Sequence, residues 1–243
     1  MKPVNIFDLS QIEDYQIFKE YSSVLRGSKK NPPKDSDQEA LIGLVRNLNA
    51  GYKDLNDFYF SYSIPQISKE FDLIKIEVEN SSSNEIKGII NIELKSGNKG
   101  EEDIKEQLIR NQYYLGHISK TISSFTYVLE TNKVYVVEED ILKETTFEYL
   151  SDRIKSMNYC YSDDINLLFK PTQYLVSPVN NPRQFLNGEY FLNGHQCEIR
   201  KEIISLVDKR RHCFLDVSGK AGTGKTLLMY DIAKYYSDMK KKY

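Results

Sequence analysis

The sequence predicts an α/β protein: a mixed sheet flanked by helices, followed by a unit of strand, glycine-rich loop and helix. Three observations carry that expectation. Residues 71–95 hold two runs rich in Ile, Leu and Val, FDLIKIEV and GIINIELK, around a Ser/Asn turn, which is the pattern of a β-hairpin with a loop. Apolar residues recur at helical spacing on either side of it, at Leu41, Leu44, Val45 and Leu48 and at Ile104, Leu108, Leu115 and Ile118. Near the end, the short apolar run CFLDVS leads straight into GKAGTGKT and then LLMYDIAKYY.

Taken in order, residues 1–26 read as a short helical lead-in with Ile12, Tyr15, Ile17 and Phe18 apolar, closed by the breaker GSKKNPPKDSD. Ser36 and Glu39 have the S-x-x-E spacing of a capping box at the start of the next helix. The aromatic stretch 52–67 has room for an irregular strand before the hairpin. After the hairpin and SGNKG, a long helix is expected over 101–120, with Asn111 inside its apolar stripe and Gln107 on the border. Buried amides need partners. Residues 124–130 and 133–138, joined around Thr131 and Asn132, read as a second hairpin, and 146–157 as a helix. Residues 169–189, with Pro171, Pro178 and Pro182, read as a linker.

Folding the first hairpin brings Asp72 beside Glu93 and Lys95. Glu93 and Lys95 are two apart on a strand, so both leave the same face. Buried charges must be paired or bound to metal. Two carboxylates supply hard oxygen ligands for Mg²⁺, and the ammonium can orient a water or offset phosphate charge, the requirements of phosphodiester hydrolysis. Asp72 followed by Glu93-Leu94-Lys95 resembles the motif of the PD-(D/E)XK nuclease superfamily. Phe71 stands before Asp72 in place of the proline of the motif's name. The resemblance implies a restriction-endonuclease-like core over 1–168, Mg²⁺ or Mn²⁺ held by Asp72 and Glu93, and nucleic acid as substrate, DNA ahead of RNA. It also implies a glutamine facing the site from the following helix, which is Gln107 here. A glutamate on the first core helix can reach the metal in this superfamily, and Glu39 is the candidate. Against it, Glu39 points roughly opposite the apolar stripe and a capping role already accounts for it.

GKAGTGKT is a complete Walker A: Gly219, Lys220, Ala221, Gly222, Thr223, Gly224, Lys225 and Thr226. Its backbone N–H groups wrap phosphates, Lys225 reaches the β and γ oxygens of ATP, and Thr226 can ligate Mg²⁺. Upstream, YFLNGHQ resembles the Q-motif of superfamily 1 helicases, which gives Gln196 the task of reading adenine. Nuclease motif, Q-motif and Walker A together resemble bacterial nuclease–helicase fusions met in phage defence. With only Asp231 and Asp238 after the loop, residues 190–243 lack a Walker B pair, a water-positioning residue and an arginine finger. They are therefore expected to form an incomplete motor, without ATPase or helicase activity of their own.

Composition narrows the classes. The 243 residues are 40% hydrophobic and 28% charged with net charge −2, enough for one sizeable core and part of a second. Residues 200–243 carry 11 Lys/Arg against 5 Asp/Glu, which leaves −8 for residues 1–199. An acidic nuclease-like part binds nucleic acid weakly unless metal or a basic partner compensates. Cys160, Cys197 and Cys213 have no CxxC spacing, and no secretory leader or membrane-length apolar run is present, so a cytoplasmic protein without a membrane partner is expected. Two rival readings remain open: a degenerate nuclease fold that only grips nucleic acid or a partner, and a regulator in which the loop at 219–226 gates cleavage.

Overall fold

A computed structural model describes residues 1–27, 32–64, 69–80, 85–97, 100–170, 176–188, 190–192, 194–209, 214–220 and 222–240. The centre of the first hairpin turn, part of SGNKG, His212, Cys213 and Ala221 lie outside the described residues. The chain divides into two units, Met1–Lys170 and Pro171–Tyr243.

The first unit is a six-stranded mixed sheet flanked by helices. Helices α1 (Ile6–Ser10), α2 (Tyr15–Arg26) and α3 (Asp35–Asn47) precede β1 (Phe58–Ile64), β2 (Lys69–Val78) and β3 (Ile86–Lys95). Then come α4 (Glu101–Leu115), β4 (Ile122–Val128), β5 (Lys133–Glu138), β6 (Ile141–Thr145) and α5 (Phe147–Lys155). The strands stand in sequence order, every neighbouring pair antiparallel except β3 and β4, which are parallel. Parallel neighbours need a crossover, and α4 supplies it.

Helices α1 to α3 and α5 cover one face of the sheet around Leu41, Leu44, Leu73, Ile92 and Phe125. Helix α4 covers the other, with Ile104 and Leu108 against Val128, Tyr135 and Val137. With both faces covered, β3 is buried at seven consecutive positions, which is why GIINIEL reads as a nearly unbroken apolar run. Phe18 of α2 is fully buried and meets Phe60 edge to face at 5.5 Å. Phe18→Ala is expected to cost about 3–5 kcal/mol, read as a lower denaturant midpoint; a loss below about 1 kcal/mol would contradict this packing.

Several elements differ from the sequence expectation. The lead-in is two helices, because Asp14 caps α2 through the N–H groups of Gln16 and Ile17. Helix α3 starts at Asp35, and Asp37 in its first turn caps it, with Oδ2 accepting the Lys34 N–H at 2.8 Å. Ser36 and Glu39 therefore form no capping box; DSD offers several caps, and spacing alone did not choose among them. Helix α4 stops at Leu115, five residues early, at Gly116, a poor helix former. Strand β6 was not expected. In the 169–189 stretch, α6 (Pro182–Leu186) forms and buries Phe185, which stacks on Tyr190 with centroids 4.9 Å apart.

The second unit also contains α7 (Gly194–Lys209) and α8 (Lys225–Lys240), packed around Leu192, Ile203, Leu228 and Ile232. The strand expected in CFLDVS does not form: 214–218 is irregular and Phe214 is fully exposed. A strand needs a neighbour to satisfy its backbone, and among the described residues the strands all belong to the sheet of the first unit.

Candidate functional site

The site is built where the strand ladder breaks. On one side, β2 pairs with β3 from Val78 down to Leu73↔Ile92. On the other, β1 pairs Phe60↔Leu73 and then Tyr62↔Phe71, leaving Ser61 opposite Asp72 at φ +52°. A positive φ at a residue other than glycine is a local strain that clusters at functional sites. With the ladder interrupted, the Asp72 carboxylate reaches across and its Oδ2 accepts the Leu94 N–H at 2.8 Å. This holds Asp72 against the Glu93-Leu94-Lys95 segment, on the face that α4 covers.

Glu93 is 2% exposed, and two amides grip its carboxylate. Gln107 Nε2 donates to Oε2, and Asn111 Nδ2 donates to Oε1 at 2.7 Å. Gln107 and Asn111 are four apart on α4, so both point at β3. Lys95 Nζ lies 3.9 Å from Glu93 Oε2. A cleft of about 170 Å³, lined by Lys95, Asp103, Ile104 and Gln107, opens beside this group.

Electrostatics make the pair of carboxylates costly when both are charged. Burial, and then the Glu93 charge, push the Asp72 carboxyl up to about 7, against the opposing pull of Lys95 and the Leu94 N–H. Asp37 of α3 adds a smaller push in the same direction. Lys69 at the start of β2 is held below its ordinary value by burial, and the charges of Glu93 and Asp72 act against that, with Arg110 and Lys95 as like-charged neighbours.

The structure thus gathers Asp72, Glu93, Lys95 and Gln107, and does not bring Glu39 to them. Glu39 is exposed, and Asp37 is the α3 carboxylate whose charge bears on Asp72. Asn111, which holds the Glu93 carboxylate, and Lys69, on which the Glu93 and Asp72 charges bear, were missed as site residues. Asn111 had a signal, its place in the apolar stripe; Lys69 had none, because the hairpin register had to be known first.

In the second unit, Gly222 and Gly224 both sit at φ +79°, a conformation glycine adopts readily. Lys220 and Gly219 lend their carbonyls to Lys225 Nζ at 2.8 and 2.7 Å, so the ammonium lies across its own loop. Thr223 Oγ donates to the Lys220 carbonyl, and Thr226 is exposed in the first turn of α8. Gln196, 9% exposed, donates from Nε2 to the Thr223 carbonyl at 3.0 Å; it touches the loop rather than standing free of it. Ala221 lies outside the described residues.

Family models, curated proteins and solved structures offer no match to this chain. The functional reading therefore rests on geometry and on the residues that carry the resemblance. Among the described residues no group of three or more His, Cys, Asp and Glu side chains is placed to hold a metal ion, and no helix is long and apolar enough to cross a membrane.

Proposed function

We propose that Met1–Lys170 is a metal-dependent nuclease unit that hydrolyses phosphodiester bonds in nucleic acid at Asp72, Glu93 and Lys95, and that the loop at 219–226 binds ATP. The observation that carries the reading is the pair of buried carboxylates where the pairing of β2 is interrupted at Asp72, with burial first and then the Glu93 charge pressing the Asp72 carboxyl up to about 7. Such a pair is costly without a cation, and its donors suit Mg²⁺ or Mn²⁺. Mg²⁺ is commonly held by one or two carboxylates plus waters and substrate phosphate oxygens, so two acids meet the need. Asp72 and Glu93 would be its protein ligands. When bound, the ion would supply charge stabilisation at phosphorus and lower the pKa of its water.

The chain's own groups do the remaining work. Gln107 and Asn111 fix the Glu93 carboxylate, the Leu94 N–H fixes that of Asp72, and Lys95 offsets phosphate charge and orients the attacking water. Helix, strand and hairpin follow one another in the order the PD-(D/E)XK resemblance implies, with an amide from the next helix on the site. DNA ahead of RNA, the phage-defence setting and a cytoplasmic location follow from the resemblance and composition.

The small number of acids favours one other reading, a module that grips nucleic acid or a partner without cutting it. Asp72→Ala and Lys95→Ala separate the two. Cleavage of labelled nucleic acid in Mg²⁺ or Mn²⁺ is expected to fall about 10²- to 10³-fold in each variant; cleavage that survives both would overturn the nuclease assignment.

A further inference from the structure

Beneath α4 the sheet carries a row of polar side chains that the proposed reaction does not use. Parallel pairing sets Ser124 beside Asn91 and Thr126 beside Glu93, and Asn111 reaches Glu93 from α4. Asn91, Asn111 and Ser124 are 0% exposed and Thr126 is 1% exposed. Yet Asn91 Nδ2 and Oδ1, Asn111 Oδ1, Ser124 Oγ and Thr126 Oγ1 have no hydrogen-bond partner among the described residues. Around them β3 is Ile89, Ile90, Ile92 and Leu94, all buried, so an apolar residue at 91 would suit the packing better.

Unpaired buried polar groups are rare because each forfeits its hydration. Internal spaces lined by such groups hold water that makes two to four hydrogen bonds. We propose that ordered water bridges Asn91, Ser124, Thr126 and the Oδ1 of Asn111, and that this row positions Glu93 through Asn111. Water donating to Asn111 Oδ1 fixes which end of the amide faces the sheet, and the Nδ2 end is then committed to Glu93 Oε1. With Gln107 on Oε2, both carboxylate oxygens are oriented before any cation arrives. Asn91, Ser124 and Thr126 are positioning residues at one remove. The consequence for the cation rests on the proposed function; the bridging water does not.

Thr126→Val is the test, because it exchanges the hydroxyl for a methyl of the same shape. Measured on the full chain in EDTA, its Tm is expected to fall if the hydroxyl is bridged, and to hold or rise if it is unpaired. Mn²⁺ affinity by titration calorimetry is expected to weaken about tenfold, and Thr126→Ser, which keeps the hydroxyl, is expected to restore that affinity. Ser124→Ala is expected to follow Thr126→Val. A Tm that holds or rises in Thr126→Val overturns the bridging water, and a lower Tm with unchanged Mn²⁺ affinity overturns the positioning of Glu93. A wild-type chain that binds no Mn²⁺ overturns both the positioning role and the nuclease reading, while the sign of the Tm change still decides the bridging water.

Discussion

Asp72→Asn is expected to abolish cleavage and to raise thermal stability at the same time. The carboxyl ionises at about 3.8 in the unfolded chain and at about 7 in the folded one, so folding favours its protonated form. That contribution is complete below pH 4, declines as pH rises through the interval, and is gone above pH 7, where the buried charge stands beside Glu93. Asparagine keeps an oxygen for the Leu94 N–H and removes the charge. The variant should match wild type near pH 4 and exceed it by about 1–3 kcal/mol at pH 8, a gain of several degrees in Tm. Millimolar Mn²⁺ should raise the wild-type Tm and leave that of the variant unchanged. Loss of stability in Asp72→Asn at pH 8 would show that the carboxylates are not in conflict, and the case for a cation between them would fall with it.

Lys225→Ala is expected to weaken ATP binding about 10- to 100-fold, the worth of a charged hydrogen-bonding group on phosphate. The Lys225 ammonium now rests on the Gly219 and Lys220 carbonyls, and it would exchange those contacts for phosphate oxygens. Equilibrium binding of a fluorescent ATP analogue checks the effect, and undiminished affinity would remove the loop from the account. Metal-dependent cleavage is expected to be the same in this variant as in wild type. A change in cleavage would instead favour a regulator in which the loop gates the nuclease.

Local pattern made much of the site legible. Asp72, Glu93 and Lys95 could be placed together because hairpin pairing and the two-residue repeat of a strand dictate it, and Gln107 because the resemblance implies an amide there; Asn111, an amide in an apolar stripe that needs a partner, carried a signal that was not used. Features that depend on tertiary context were hidden. Asp37 on the Lys34 N–H, and not the Ser36 and Glu39 pair, caps α3. Lys75 is 2% exposed and donates to the carbonyls of Asp54 and Asn56 at 2.5 and 2.8 Å, pinning the loop before β1. Its burial follows from the helices on that face, which no local pattern announces. The strand expected in CFLDVS has apolar content, and among the described residues 214–218 have no neighbouring strand to pair with.

The central claim is that Asp72 and Glu93 hold a cation that cuts nucleic acid. Its most direct test is cleavage of labelled single- and double-stranded DNA and RNA by the purified chain, with Mg²⁺ or Mn²⁺ against EDTA, beside Glu93→Gln. The account predicts cutting that requires the metal and is lost in the variant, with DNA the better substrate. Cutting that persists in EDTA or in Glu93→Gln, or none by folded wild-type chain on any of the four substrates, would contradict it.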